Sequence, residues 1–222
     1  MLGYRGHAGW RDMSEYAVHF TKDGAGGTDG YMSMMSILSQ GYLKPSGPFG
    51  VAAELDFLGS AQKSVCLSEV PLDQLARVVE HRSEYGIGFK QTVLIEKGGA
   101  RVWYVNEPSL LAEFWRKITA EQGALRDTDA ELWRATPFVD LASESALFSR
   151  YEWEREWRVP GGLTFKPSDV AFLFIPEALH GAAKSFFIDV KLERLGPHYS
   201  CPLLDAAWPE DQLQEAFARV ED

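Results

Sequence analysis

Three glutamates alternate with other side chains within residues 151–159, namely Glu152, Glu154 and Glu156. Residues two apart in a β-strand point to the same face, so this spacing places three carboxylates side by side. Neighbouring carboxylates repel one another, which raises the pKa of at least one of them unless cations lie opposite. Two interpretations follow. The carboxylates act in catalysis, or they form a solvent-facing side of the strand whose charge is balanced by Arg155 and Arg158.

Two ring-bearing side chains could contact a flat ligand. His19 lies in residues 16–21, whose aromatic and β-branched residues predict a strand, where a single histidine is also typical of a core or edge position. Tyr85 precedes Gly86-Ile-Gly88, which lacks the third glycine and the following helix of a phosphate-binding loop. This glycine pair is instead typical of a bulged or closely approached strand. Tyr85 therefore stacks on a ligand or packs in the core.

The two cysteines, Cys66 and Cys201, belong to no CxxC pair and have no histidine cluster at zinc-ligand spacing. We therefore expect two buried, reduced thiols and no metal site. Cys66 with His81 would be a nucleophile–base pair only if the fold brought them together, which spacing does not require. Walker A, HExxH and GxSxG motifs are absent from the sequence.

The chain of 222 residues carries a net charge of −10, which disfavours general binding to nucleic acid because phosphate backbones are repelled. Residues 1–10 lack the apolar stretch of a signal peptide. The longest apolar run, residues 170–176, is too short to cross a bilayer. We therefore predict a cytoplasmic protein that does not bind membranes.

Hydrophobic periodicity predicts how these residues are positioned. Strands are expected at 16–21, 64–68, 86–95, 100–105, 151–159, 170–175 and 186–195, with Gly98-Gly99 as a hairpin turn. Helices are expected at 31–40, 71–81, 107–122, 129–136, 176–183 and 205–221, with 138–147 as a less regular continuation. Gly41 is expected to end the first helix. The order does not alternate strictly, so the prediction is an α+β fold in a single domain over 1–222.

Several of these segments, in this order, resemble one family. The strand His19-Phe-Thr21, followed by a helix with Ile37-Leu38 and Gly41, is similar to the opening of ADP-ribosyltransferase-fold proteins of the DarT-like kind. The segments 65–69 and 85–89, together with Glu154-Arg-Glu156-Trp-Arg158, also resemble AbiGi-type abortive-infection proteins of phage defence. The resemblance implies a fold of twisted, mostly antiparallel split sheets with flanking helices.

The resemblance also implies roles, residue by residue. Glu156 matches the catalytic glutamate and Glu154 its partner. The resemblance also implies which residues bind the substrate NAD. His19 would contact a ribose hydroxyl, and Thr21 and Ser68 would lie in the supporting strands. Tyr85 or Tyr104 would stack on nicotinamide. The glycine-rich segment 23–30 departs from the family, and no acceptor-recognition loop can be matched.

The function that the resemblance implies is cleavage of the nicotinamide–ribose bond of NAD and transfer of ADP-ribose, in phage defence or a toxin–antitoxin pair. A carboxylate near the ribose would stabilise the oxocarbenium-like transition state. Transfer to water instead would make the chain an NAD glycohydrolase. Some relatives are labelled antitoxins, so the alternative is a non-catalytic antitoxin or sensor that binds a protein partner: a cognate toxin, antitoxin or phage protein. The acceptor stays open.

Overall fold

The computed structural model describes residues 5, 7, 10, 12–22, 29–69, 79–80, 82–142, 154–194 and 196–218. The strands are β1 Tyr16–Phe20, β2 Tyr42–Leu43, β3 Ser64–Ser68, β4 Gly86–Lys90, β5 Ala100–Arg101, β6 Trp103–Asn106, β7 Val139–Ala142, β8 Glu156–Pro160, β9 Leu163–Thr164, β10 Val170–Phe174 and β11 Leu203–Leu204. The α-helices are α1 Gly30–Gln40, α2 Gln91–Glu96, α3 Leu110–Leu125, α4 Glu177–Glu193 and α5 Glu210–Ala218. No helix in the described ranges is both long and apolar enough to cross a membrane.

The chain divides into two compact units. The first comprises residues 1–42, 67–93 and 164–222, and the second comprises 43–66 and 94–163. The chain therefore leaves the first unit and returns to it twice. The expectation of one domain over 1–222 stays a prediction.

In the first unit, β1 pairs antiparallel with β4, and β4 pairs antiparallel with β10. β11 adds to β10 as a parallel edge strand, and the end of β3 pairs antiparallel with β1 through Val18 and Ser68. Phe172 and Phe174 of β10 are fully buried and pack with Leu204 and Leu213. The prediction of a mixed α and β protein with a mostly antiparallel sheet is confirmed at this level.

Two positions of β4 require glycine, because neighbouring side chains occupy the space that a Cβ would fill. A Cβ on Gly88 would lie 2.4 Å from Cζ of Phe172, and one on Gly86 would lie 2.7 Å from Cγ1 of Val18. The interpretation of Gly86-Ile-Gly88 as a closely approached strand is confirmed. The fully buried Phe172 ring occupies the surface that Gly88 leaves open.

Helix α1 begins and ends where the sequence predicts. The Asp29 side chain accepts a hydrogen bond of 2.7 Å from the backbone N–H of Met32 at the first turn. Gly41 adopts φ 61° and its N–H donates to the carbonyl of Ile37 at 2.9 Å. A left-handed residue at this position ends the helix, as expected of glycine.

In the second unit, β6 and β7 run parallel in a continuous register that sets Tyr104 beside Asp140. β5 pairs antiparallel with β8, which sets Ala100 opposite Arg158. One core cluster contains Ala52, Leu58 and Trp133, and another contains Val105, Ala112 and Val139. Helix α3 packs its Ala112 side onto the β6–β7 pair, since Ala112 belongs to the second cluster.

Among the differences between predicted and observed elements, four concern residues 91–95, 139–142, 186–193 and 205–209, and tertiary context explains the first two. Residues 91–95, expected to continue a strand, belong to helix α2. Gly98, with φ 80°, and the bond from Gly99 N–H to the Leu94 carbonyl at 2.7 Å end that helix, so Gly98-Gly99 is not a hairpin turn. Residues 139–142, expected to be irregular helix, are strand because they pair with β6.

The other two differences lie near the C-terminal end. Residues 186–193, expected to be strand, continue α4, and its buried residues Ala183, Phe187 and Val190 recur at helical spacing. The run Phe186-Phe-Ile188 hides that periodicity. The last helix begins at Glu210 rather than near 205, because the Asp205 carboxylate accepts hydrogen bonds from the N–H groups of Ala207 and Glu177 in a turn. Of the helix expected at 71–81, only Val79 and Glu80 are described, and they are helical.

Replacement of Gly88 by alanine is expected to lower the free energy of unfolding by about 1–3 kcal/mol, because the new Cβ overpacks against Phe172. Gly181, in α4, has no atom within 4 Å of its ideal Cβ, so Gly181→Ala is a matched control that should be neutral or stabilise by up to about 1 kcal/mol. Urea unfolding checks both. If the Gly88→Ala variant kept the wild-type midpoint, the Phe172 contact would not restrict this position.

Candidate functional site

A buried polar cluster forms in the second unit around strand β8. Glu156 and Arg158 lie two residues apart and share one face of β8. Tyr104 and Asp140 come from the parallel strands β6 and β7, in register with one another. Glu156 and Arg158 are only 8% and 2% exposed, so strand geometry places a carboxylate and a guanidinium together out of solvent.

Arg158 is the centre of the cluster. Its Nε donates to Oε1 of Glu156 at 2.8 Å and its Nη2 donates to Oε2 at 3.1 Å. Nη1 and Nη2 donate to the two oxygens of Asp140 at 3.2 and 2.5 Å, and Nη1 also donates to the carbonyl of Pro137 at 2.7 Å. These five bonds match the five N–H groups of a guanidinium. The Phe49 ring covers the group, with its centroid 4.7 Å from Cζ.

Glu156 receives hydrogen bonds from three residues. Besides the two from Arg158, the Tyr104 hydroxyl donates to Oε2 at 2.5 Å, and the Cys66 thiol bonds the same carboxylate. Burial by itself would raise the pKa of Glu156, but the bonds and charge of Arg158, with those of Tyr104 and Cys66, outweigh burial and lower it. Glu156 is therefore ionised at neutral pH.

The donors around Glu156 keep their protons. Burial raises the pKa of the Tyr104 hydroxyl, and the charge of Glu156 raises it further. Burial and then Glu156 likewise raise the pKa of the Cys66 thiol. Burial alone would lower the pKa of Arg158, but its bonds to Asp140 and Glu156 outweigh burial and raise it. The cluster thus combines one cation and two carboxylates with neutral donors.

The structure changes the expectation of three carboxylates on one strand face. Glu154 and Arg155 precede β8, and Arg155 has φ 47°, so the alternation does not extend back from Glu156. Glu152 lies outside the described residues. Because both faces of β8 are buried from Glu156 to Val159, the solvent-facing interpretation is wrong. Glu154 is itself buried, at 3% exposure.

Four of the predicted NAD-binding residues lie in the first unit. Thr21 donates through Oγ1 to the carbonyl of Gly30 at 2.7 Å and through its N–H to the carbonyl of Tyr85 at 3.0 Å. A Cβ on Gly30 would lie 2.9 Å from the Tyr85 ring, so the start of α1 packs closely there. His19 is half-buried on β1, and Ser68 is buried at the end of β3.

The structure therefore brings Thr21 to Tyr85 in the first unit, and Tyr104 to Glu156 in the second. Sequence reasoning did not identify Asp140, nor Cys66 as a donor to Glu156. Asp140 sits 18 residues from Arg158, and only the parallel pairing of β6 with β7 brings it there. The spacing of Glu156 and Arg158 on one strand was a signal in the sequence, because a buried arginine needs more acceptors than one glutamate supplies. His81, weighed as a base for Cys66, lies outside the described residues.

Among the described residues, no group of three or more histidine, cysteine, aspartate or glutamate side chains is arranged to hold a metal ion. A scan against protein-family models, a search of curated proteins and a search of solved structures each found no match. The chemistry of the Glu156 cluster therefore has to be inferred from its own geometry.

The lowered pKa of Glu156 predicts a pH-dependent contribution to stability. A group whose folded pKa lies below its unfolded value of about 4.3 stabilises the fold above that pH and stops doing so as the pH falls through the folded pKa. At pH 7, Glu156→Gln should cost about 1–3 kcal/mol, because Arg158 and Tyr104 lose a charged partner. That difference should shrink on acidification below about pH 4.3.

Urea unfolding of both proteins between pH 7 and pH 3 measures this difference. Glu131→Gln is the control, since Glu131 makes an exposed pair with Arg134 at 2.9 Å, and it should show only a small difference. A Glu156→Gln difference that stayed constant or grew in acid would mean that Glu156 is protonated in the folded protein.

Proposed function

We propose that this chain is an NAD-dependent ADP-ribosyltransferase-like effector, in which Glu156 acts on the nicotinamide–ribose bond. The observation that carries the proposal is the ionised, buried Glu156 carboxylate, held by Tyr104 and Arg158 at the start of β8. This is the residue that the sequence resemblance assigns to catalysis. A fixed anion away from bulk water stabilises a developing cation more strongly than a solvated one.

The reaction requires little proton transfer at the leaving group. When the bond between ribose C1′ and the nicotinamide nitrogen breaks, both bonding electrons stay with nicotinamide, which departs as a neutral molecule. The positive charge remains on the ribose as an oxocarbenium-like group. With two carboxylates and one guanidinium, the Glu156–Arg158–Asp140 cluster carries a formal charge of −1, which favours that cation.

The acceptor then forms a bond to C1′ and loses a proton to solvent water. Transfer to a protein, a nucleotide or DNA would make the chain a transferase, and transfer to water would make it a glycohydrolase. A substrate hydroxyl that bonds Glu156 would compete with the Cys66 thiol, which is the weakest of its donors. The setting we propose is phage defence or a toxin–antitoxin pair.

A second candidate function is a non-catalytic antitoxin or sensor that binds a protein partner. The observation that favours it is the saturation of Glu156. A carboxylate offers about four acceptor positions, and Arg158, Tyr104 and Cys66 together make four bonds to it. In that case the cluster holds the second unit together and takes no part in chemistry.

The first test is incubation of the purified chain with NAD, with and without cell lysate as a source of acceptors, and chromatography of free nicotinamide. Glu156→Gln should lower the release rate by about 100-fold or more, because a group that stabilises transition-state charge is lost. Glu131→Gln, an exposed carboxylate of the same unit, should leave the rate unchanged. Circular dichroism and thermal melting confirm that each variant is folded.

Release that is equal in the wild type and a folded Glu156→Gln variant would overturn the catalytic assignment. No release under any condition, together with co-purification of a stable partner, would favour the antitoxin or sensor. Expression in cells adds a further readout, since the effector should arrest growth and Glu156→Gln should relieve the arrest.

His19 generates a separate prediction, because the resemblance gives it a role in NAD binding rather than in bond cleavage. His19→Ala should raise KM for NAD by roughly tenfold with little change in kcat, as expected when equal binding of ground and transition states is lost. Initial rates across a range of NAD concentrations check this. A fall in kcat at unchanged KM would assign His19 to the chemical step instead.

A further inference from the structure

A cavity of about 770 Å³ lies within the first unit. Its lining includes Lys90 of β4, Ala171 of β10, Lys184 of α4 and, nearer the C-terminal end of the chain, Tyr199, Cys201 and Trp208. This volume suits a small organic molecule. None of the first-unit residues expected to bind NAD is among the described residues that line the cavity, so a ligand bound there is independent of the proposed function.

The charged side chains that line this cavity have one sign. Lys90 and Lys184 line it, and the described lining residues include no aspartate or glutamate. This contrasts with the chain as a whole, which has 32 acidic and 22 basic residues and a net charge of −10. Local cations in a concave site attract an anion even where the protein is acidic overall.

The thiol and the phenol that line the cavity add no negative charge that would offset the two lysines. Burial raises the pKa of the Cys201 thiol to about 12, and burial followed by the charge of Cys201 raises the pKa of Tyr199 to about 12. Both groups therefore stay neutral at physiological pH. The Tyr199 hydroxyl is held in place because it donates to the carbonyl of Leu38 at 2.7 Å.

Flat rings complete the wall and are fixed by their own contacts. The Trp208 indole N–H donates to Oε2 of Glu177 at 2.9 Å, and the His180 ring meets the indole edge to face at a centroid distance of 5.3 Å. His180 is oriented by a hydrogen bond of 2.8 Å between its Nε2 and the carbonyl of Ile175. Phe187 lies on the same helix and also lines the cavity. Preorganised rings favour a flat apolar body.

We propose that this cavity binds a small organic anion: a phosphate or carboxylate group on a flat ring. The anionic group pairs with Lys90 and Lys184, and the ring packs against Trp208 and Phe187. The site is a binding site for a ligand and has no nucleophile assigned to it.

Isothermal titration of the full chain with phenyl phosphate and with benzoate tests the proposal. One of these ligands at least should bind with a stoichiometry of about one. Lys184→Gln and Lys90→Gln should each weaken binding by roughly tenfold, because a charge-assisted hydrogen bond is lost. Lys191→Gln is the matched control, since Lys191 belongs to the same helix as Lys184 and does not line the cavity, and it should change affinity less than about twofold.

Two further arms locate the ligand. Phenol lacks the anion and inorganic phosphate lacks the ring, so each should bind more weakly than phenyl phosphate. In a ¹H–¹⁵N spectrum, the indole N–H signal assigned by Trp208→Phe should shift on titration more than the other indole signals. The proposal is overturned if neither anion binds to a folded protein, if Lys191→Gln weakens binding as much as Lys184→Gln, or if the Trp208 signal stays in place.

Discussion

The second unit depends on the way in which the Arg158 guanidinium is held. This group is 2% exposed, and removing such a cation from water costs several kcal/mol unless its N–H groups all find acceptors. Glu156 and Asp140 supply four acceptor contacts and the Pro137 carbonyl supplies the fifth. Strand β8 can bury both of its faces only because β7 and the residues just before it bring these oxygens to Arg158.

The same bonds set the chemical state of Glu156. Because Arg158 and Tyr104 donate to it, the carboxylate is ionised although it is buried, while Tyr104 and Cys66 keep their protons. An ionised carboxylate is what an oxocarbenium-like transition state requires. In the proposed reaction a substrate would need a lone pair that now stabilises the fold, so the two candidate functions differ in whether one of the donors to Glu156 gives way to a substrate.

Local signals in the sequence predicted the elements that depend on local physics. Gly41 marked the end of α1, and the aromatic and β-branched run of β1 marked a strand, because capping and side-chain shape act within a few residues. The predictions were wrong where the secondary structure is determined by pairing with a distant strand or by the continuation of a helix. Residues 139–142 are strand only because β6 lies beside them, and the periodicity of α4 is obscured by an apolar run at Phe186.

The candidate sites also contain some residues that the sequence identifies and others that only the fold brings together. Glu156 could be singled out because alternating charge on a strand is visible in the chain itself, but its partner Tyr104 sits 52 residues away, and pairing in three dimensions brings the two together. The cationic cavity could not be predicted from the sequence, because Lys90, Lys184 and Trp208 belong to no common motif. A net charge of −10 describes the field at a distance and disfavours binding to long phosphate backbones, whereas a small anion inside a cavity responds to the few charges that line it. Composition therefore limits the class of large partner for this chain and leaves its small ligands to be decided by local geometry.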